Sequence, residues 1–189
     1  MSDVRVTGES AGSRSALAAS LREGWRQAQG ILTEMFQLPV TFGLPVIDDG
    51  GIARFAEEDG LSAAGMAFTG GSSGIALLFV SRSAVQPLVA ALLGEAVTDP
   101  EDIVTFYPTT VLELGNVVLN CVVAEAGRTR DETYRFELPA ILSHRELTEQ
   151  FDSASTSLVL VGEATVDRGP PSRLGIGLLF HREHRNDHV

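Results

Sequence analysis

The sequence contains no lysine and only one cysteine among its 189 residues. A single cysteine cannot form a disulfide within the chain, so a disulfide framework is excluded and a reducing compartment, the cytoplasm, is the expected location. That cysteine, Cys121, lies in an apolar stretch and is expected to be a buried small side chain rather than a reactive thiol. Without lysine, any contact of this chain with a phosphate group has to come from arginine, amide or hydroxyl donors.

Net positive charge and long apolar runs are also lacking. The net charge of −11 repels the phosphates of nucleic acids, and no cluster of arginines with interleaved aromatic residues offsets it, so we expect no nucleic-acid partner. The apolar runs around Ile75–Val80 and Val117–Val123 are far shorter than the ~20 residues of a membrane span. The start at Met1–Asp3 lacks a basic residue followed by an apolar stretch, so we expect neither a secretory signal nor a membrane partner.

The chain has the length and composition of one ordinary globular domain. Hydrophobic residues make up 44% and charged residues 21% of the sequence, which is enough apolar material for a single core. Residues 1–13 are small and polar and are expected to form a flexible leader, residues 14–180 the domain, and residues 181–189 a polar tail.

Hydrophobic periodicity predicts the order helix, strand, hairpin, short helix, followed by long helix, strand, hairpin. The predicted helices are Ser15–Phe36, Ser83–Leu93 and Tyr107–Ala126, and the predicted extended segments are Leu38–Ile47, Ala63–Thr69, Gly74–Ser81, Tyr134–Leu142, Ser155–Val166 and Leu174–Phe180. Both halves contain a helix followed by three strands, which suggests an internal duplication. We therefore expect an α+β fold, in which duplicated helix–strand–strand–strand halves form a largely antiparallel sheet covered by long helices.

The same periodicity predicts which side chains of the first helix are buried, and the glycines predict where the second and third helices end. The first helix is expected to bury the stripe Leu17, Leu21, Trp25, Ala28, Leu32 and Met35. Glycine is common just after a helix, so Gly94 is expected to end the second helix and Gly127 the third.

Four polar residues stand out on the third, otherwise apolar helix: Thr109, Glu113, Asn116 and Asn120. Their spacing of four, three and four residues places them on one helical face. This face is either the solvated side of an amphipathic helix or a functional site. Solvated faces are usually rich in Lys, Arg and Glu, whereas this one has a single charge, Glu113.

The sequence Glu113-Leu114-Gly115-Asn116, followed after twenty-two residues by Pro139, resembles the signature of the CheC, CheX and FliY phosphatases. Three upstream segments are also similar to that family, at Phe68–Gly70, Gly74–Phe79 and Leu88–Gly94. The resemblance implies a CheC-like fold and hydrolysis of phospho-aspartate on a CheY-like response regulator in a chemotaxis or two-component pathway. Because phospho-aspartate is already an activated acyl phosphate, its hydrolysis needs a positioned water rather than a nucleophile from the catalyst.

The resemblance also implies roles for individual residues. Asn116 would orient the attacking water and Glu113 would contact the regulator's active-site lysine, so these two are the predicted catalytic residues. Pro139 would shape the neighbouring strand, and Asn120 is expected to support the site or contact the partner. Thr109 replaces the family's Asp or Ser, and its hydroxyl is expected to cap the helix or make a polar contact. We expect no metal or cofactor on this chain, with Mg²⁺ on the partner regulator.

The first half lacks an equivalent site. Glu23 is followed three residues later by Arg26, where the signature has asparagine, and Asp49 stands where it has proline. One remaining site makes the chain more similar to CheX than to CheC, and since CheX-type proteins are dimers the resemblance makes a homodimer an expectation.

Other patterns point to weaker functional hypotheses. Gly70–Gly74 matches the nucleophile elbow G-x-S-x-G, but a strand-like run follows it, so a hairpin turn is expected and Ser72 has no evident base. The histidines at 181, 184 and 188 have helical spacing in a polar tail, where metal binding is not expected. His144 is expected in a loop. The main alternative function is a non-enzymatic adaptor or flagellar-switch-type module that binds a regulator, which would not need Glu113 and Asn116.

Overall fold

A computed structural model describes residues 11–43, 46–47, 61–93, 100–166 and 171–181, which form one sheet with helices on both faces. The helices within these ranges are α1 (Ala11–Phe36), α2 (Arg82–Leu93), α3 (Pro100–Arg130) and α4 (His144–Ser153). The strands are β1 (Val40–Phe42), β2 (Val46–Ile47), β3 (Leu61–Thr69), β4 (Ser73–Ser81), β5 (Arg135–Phe136), β6 (Ala140–Leu142), β7 (Ala154–Val166) and β8 (Ser172–His181). The turns predicted at 48–51 and 167–171, the helix end at Gly94, and residues 1–10 and 182–189 lie wholly or largely outside the described residues.

The strand order is β1-β7-β8-β4-β3-β5, with β2 also pairing with β7 and β6 with β3. Every pairing is antiparallel. The two hairpins meet at the centre through β4 and β8, and each half supplies its two short strands to the outer edge of the other half's hairpin. This exchange is the same in both directions, so the predicted duplicated, antiparallel α+β fold is confirmed.

Strand alternation divides the core between the two faces of the sheet, because successive side chains on a strand point to opposite sides. In β4, Ala76, Leu78 and Val80 face the large core beneath α1, α2 and α3. The intervening residues of β4 form a smaller core with α4 on the other face, through Leu147. Helix α3, which carries Glu113 and Asn116, therefore shares one side of the sheet with α1 and α2.

Helix α1 packs closely against the backbone of α3 at Gly24. A Cβ atom on Gly24 would lie 2.7 Å from the Cα of Val122, so this crossing requires a residue without a side chain. The stripe predicted for α1 is buried from Leu17 to Leu32. Its last member was predicted wrongly: Met35 is 38% exposed and Phe36 is buried instead, because a step of four from Leu32 keeps the ring on the core side.

Helix α3 is longer at both ends than the predicted Tyr107–Ala126. Gly127 does not end it, because the chain continues as helix to Arg130 and reverses at Asp131, whose φ is 55°. After the reversal the Glu132 N–H donates to the Gly127 carbonyl at 2.9 Å, and a Cβ on Gly127 would be 2.7 Å from the Glu132 carbonyl oxygen. Gly127 is therefore required by the returning chain, rather than by the end of the helix.

The apolar composition of α3 is explained by its position in the core. Its Val104–Arg130 segment is long and apolar enough to cross a membrane, with a mean hydropathy of 1.3 over an 18-residue stretch. However, 67% of that stretch is buried inside the fold. Cys121, in the same segment, is half-buried and packs against the core. Burial raises the pKa of its thiol, as expected for an unreactive cysteine.

The loop predicted at His144 is wrong, because α4 begins there. Ser143 caps the helix: its hydroxyl accepts from the Glu146 N–H, and the Glu146 carboxylate accepts from the Ser143 N–H at 2.8 Å. This reciprocal arrangement is a capping box, and the Ser-x-x-Glu pattern in the sequence was the available signal.

Candidate functional site

The site is built on the exposed face of α3. Thr109, Glu113 and Asn116 are exposed and Asn120 is half-buried, whereas Leu114 and its neighbours on the opposite side are buried. Phe106 lies one helical step before Thr109 on the same face and is 40% exposed. Thr109 is an interior residue of a helix that begins at Pro100, so the expectation that it caps the helix is wrong.

The Asn116 side chain accepts a hydrogen bond from Asn120, one turn later on α3. The Asn120 Nδ2 group donates to the Asn116 Oδ1 at 2.9 Å and to the Asn116 backbone carbonyl at 2.6 Å. With Oδ1 accepting from within the helix, one lone pair of Oδ1 and both N–H bonds of Asn116 remain for a ligand or water. The carboxamide can therefore accept and donate at the same time.

Glu113 lies one turn before Asn116 and presents its carboxylate to solvent. It has no ion pair or hydrogen bond to any residue within the described ranges, so its charge is available to a cation of a partner. Glu113 and Asn116 line neither the cleft at the C-terminal end of α3 nor the cleft beside α1. Their setting is an open helical face, which suits contact with a protein surface.

Gly115 and Pro139 lie where this part of α3 packs against the edge of the sheet. A Cβ on Gly115 would be 3.2 Å from the Ala64 Cβ in β3 and 3.6 Å from the Pro139 Cβ. Pro139 lies between β5 and β6, both of which pair with β3. A side chain at position 115 would therefore meet β3 and Pro139, and glycine lets α3 lie close to both. Leu138, 85% exposed, precedes Pro139 on the same edge.

No family model and no curated protein sequence matches this chain, but solved structures do. FliY from Thermotoga maritima superposes with a TM-score of 0.66 at 13% identity, covering 92% of both chains. CheX in the CheX–CheY–BeF3–Mg²⁺ complex from Borrelia burgdorferi gives 0.58 at 14%, covering 85% of this chain and 96% of that one. FliM in a FliG–FliM complex from H. pylori gives 0.55 at 11%, covering 90% and 94%. The chain has the CheC/CheX/FliY fold.

In the first half of this CheC-like fold, the positions corresponding to Glu113 and Asn116 form an exposed ion pair. Arg26 donates to Glu23 through both Nε, at 2.9 Å, and Nη2, at 2.5 Å. Trp25 takes the place of Gly115, and its ring packs on Phe42 with centroids 4.8 Å apart. The Glu23 carboxylate is thus paired within its own helix, and the absence of a site in the first half stays a prediction.

The ion pair predicts a measurable pKa. The hydrogen bond from Arg26, with a second from Gln27, lowers the pKa of Glu23 from 4.5 to about 2. Because the folded-state pKa is depressed, the stabilisation is complete above pH 4.5 and is lost as pH falls through 2. In Arg26→Ala we expect the pKa of Glu23 to rise towards its ordinary value, with the bond from Gln27 still holding it lower, as measured by a carboxyl-carbon NMR titration. Arg145→Ala is the matched control, and an unchanged pKa in Arg26→Ala would refute the assignment.

Ser72 has a carboxylate neighbour that the sequence did not reveal. Its hydroxyl donates to Glu132 at 2.6 Å and contacts the Tyr134 hydroxyl at 2.9 Å. Burial raises the pKa of Tyr134 to about 12; for Glu132 burial acts in the same direction, but the hydrogen bonds and Arg130 outweigh it and lower its pKa. The cluster ties the β3–β4 turn to the chain after α3, and β4 follows Ser72 as a strand, so the predicted hairpin turn is confirmed.

The remaining candidates lie apart from the site. His181 is the last residue of β8, while the other two tail histidines lie outside the described residues. Within the described ranges, no three His, Cys, Asp or Glu residues come together as metal ligands. Sequence analysis missed Glu125, which is 7% exposed and accepts from Gln27 at 2.5 Å and from Arg128 at 2.6 Å. The bond from Gln27 joins α1 to α3, whereas Arg128 lies on α3 itself.

Proposed function

We propose that this protein is a cytoplasmic phosphatase that accelerates hydrolysis of phospho-aspartate on a CheY-like receiver domain. The observation that carries the proposal is the exposed pair on α3, in which the Asn116 carboxamide is held by Asn120 and the Glu113 carboxylate is free of described partners. The fold supports it, because CheX in the Borrelia burgdorferi structure is in complex with CheY, BeF3 and Mg²⁺.

The reaction needs little chemistry from the catalyst. The water oxygen forms a bond to phosphorus as the bond between phosphorus and the aspartate oxygen breaks. The aspartate leaves as a carboxylate with that electron pair, and both water protons remain on the product as dihydrogen phosphate. Rate enhancement comes from holding the water in line with the leaving oxygen. Mg²⁺ on the receiver would neutralise charge on the phosphoryl oxygens.

Asn116 has the groups that this task requires. Its free Oδ1 lone pair can accept a hydrogen bond from the water, which turns a lone pair of the water oxygen towards phosphorus. Its Nδ2 can donate to a phosphoryl oxygen, where negative charge is concentrated. A neutral amide does both without a change of protonation, so its contribution does not depend on a carboxylate or imidazole pKa.

Glu113 would dock the receiver by pairing with its active-site lysine. The chain itself has no lysine and a net charge of −11, so a cation on the partner is attracted over a distance before contact. Phe106, two turns before Glu113 on α3, and Leu138, next to Pro139 in the chain, are both exposed and supply apolar surface of the kind found in protein interfaces.

The test is the dephosphorylation rate of phosphorylated receiver domains with and without this protein, using the cognate regulator or a panel. We expect acceleration by the wild type, and in Glu113→Gln a KM raised about tenfold, because one interfacial charge pair is lost. Glu149→Gln makes the same charge change on α4, across the sheet, and should leave KM unchanged. No acceleration of any receiver would rule out the phosphatase function.

A non-enzymatic adaptor is the second candidate, favoured by the similarity to FliM, whose H. pylori structure contains FliG. An adaptor would bind the receiver without changing the lifetime of its phosphoryl group. Binding measured by calorimetry with no acceleration would assign this chain to that class.

A further inference from the structure

We propose that Asn120 is a positioning residue, which selects the orientation of the Asn116 carboxamide. This inference rests on the proposed phosphatase function and assigns it a second residue. Both protons of the Asn120 Nδ2 group are used on Asn116, one on the Oδ1 at 2.9 Å and one on the backbone carbonyl at 2.6 Å. The side chain of Asn120 is thus fixed to the turn that carries Asn116, and its donor points at the oxygen of the amide.

An exposed asparagine without such a partner has two orientations of similar energy, because its oxygen and nitrogen exchange places on rotation about χ2. With Asn120 donating, only the orientation with Oδ1 on the Asn120 side makes the bond. In the reversed orientation two NH2 groups would face each other and neither could accept. The donor therefore fixes which atoms Asn116 presents to the water and to the phosphoryl oxygens.

The substitution of aspartate at position 120 makes the inference specific. Asn120→Asp keeps the size of the side chain but offers only acceptor oxygens to Asn116. The Asn116 amide should then turn so that its Nδ2 donates to the new carboxylate, which removes the donor from the phosphoryl side. Asn120→Ala leaves the amide free to adopt either orientation.

A merely structural role for Asn120 predicts a different outcome. Asparagine is a poorer helix former than alanine in a helix interior, so Asn120→Ala should not lower the thermal midpoint. A loss of activity without a loss of stability is therefore the pattern expected of positioning. Thr148→Ala is the matched control, since the Thr148 hydroxyl makes a similar bond to the His144 carbonyl at 2.9 Å on α4, across the sheet.

The experiment measures kcat and KM for a phosphorylated receiver, the thermal midpoint, and the NMR order parameter of the Asn116 side-chain NH2 group. In Asn120→Ala we expect kcat to fall about fivefold, as one ordinary hydrogen bond allows, with KM unchanged and a lower order parameter. In Asn120→Asp we expect kcat close to that of Asn116→Ala. Thr148→Ala should match the wild type in kcat, KM and the order parameter, and its thermal midpoint should not fall.

Two results would overturn the inference. The first is a wild-type kcat in both Asn120 variants. The second is a fall in kcat accompanied by a comparable rise in KM and a lower thermal midpoint. Failure of the proposed function is a separate outcome. A wild type that accelerates no receiver disproves the phosphatase function, and the order parameter of the Asn116 side-chain NH2 group then decides whether Asn120 has the positioning role. An Asn116 order parameter that is the same in wild type and Asn120→Ala would then overturn the positioning role by itself.

Discussion

Replacing Asn116 with alanine is expected to lower kcat for receiver dephosphorylation on the order of 100-fold, because the attacking water loses the group that aligns it. Affinity for the receiver should change little, since Glu113 and the surrounding apolar surface remain. The measurement is a single-turnover decay of the phosphorylated receiver at saturating protein, together with Kd for the receiver held in its phosphoryl-mimic form.

The chain provides its own control for this variant at the corresponding position of the other half. Arg26→Ala removes an exposed side chain from α1 at the place that matches Asn116, where the first half lacks the asparagine of the signature. It should leave kcat and KM at wild-type values. Equal losses in Arg26→Ala and Asn116→Ala would contradict a single site on α3.

Gly24→Ala is expected to be the most destabilising small substitution between the helices. The added Cβ would meet the Val122 backbone at 2.7 Å, so α1 and α3 must move apart and lose packing along their length. Overpacking of this kind costs about 1–3 kcal/mol, and the better helix propensity of alanine offsets about 1 kcal/mol of it, for a net loss of about 1 kcal/mol. The thermal midpoint, measured by circular dichroism, should fall by about 2–4 °C.

The matched control is Gly30→Ala, in the same helix. A Cβ there would have no atom within 4 Å, so only the propensity gain applies, and the thermal midpoint should rise by about 1–4 °C. A rise in both variants would show that the helices can separate at Gly24 without loss of packing.

The elements with strong local patterns were predictable from the sequence. The apolar stripe of α1 and the β3–β4 hairpin follow from periods of 3.6 and 2 residues, which depend only on the chain's own geometry. The ends of elements were less predictable, because they depend on what the chain meets later. Gly127 looks like a helix terminator until the return of Glu132 is known, and the capping box of Ser143 and Glu146 is a short pattern that was overlooked.

The candidate site divides in the same way. The spacing of Glu113 and Asn116 predicted that they share a helical face, since this is a property of the helix alone. The close approach of Gly115 to Pro139 depends on the pairing of β6 with β3, which no spacing within the helix encodes. The Glu23–Arg26 ion pair has the i,i+3 spacing of a helical pair, so its signal was present in the sequence. The donor direction of Asn120 depends on side-chain geometry that the spacing does not determine.

The exchange of short strands between the halves has a consequence for how the molecule folds. Neither repeat encloses its own sheet: the edge of β3 is completed by β5 and β6 from late in the sequence, and that of β7 by β1 and β2 from its beginning. A nascent chain that has emerged only as far as β4 therefore lacks the strands that cover β3 and the neighbour of β4. The sheet is complete only after contacts that span most of the chain have formed, so folding should be slow. The two repeats should become protected from amide hydrogen exchange together.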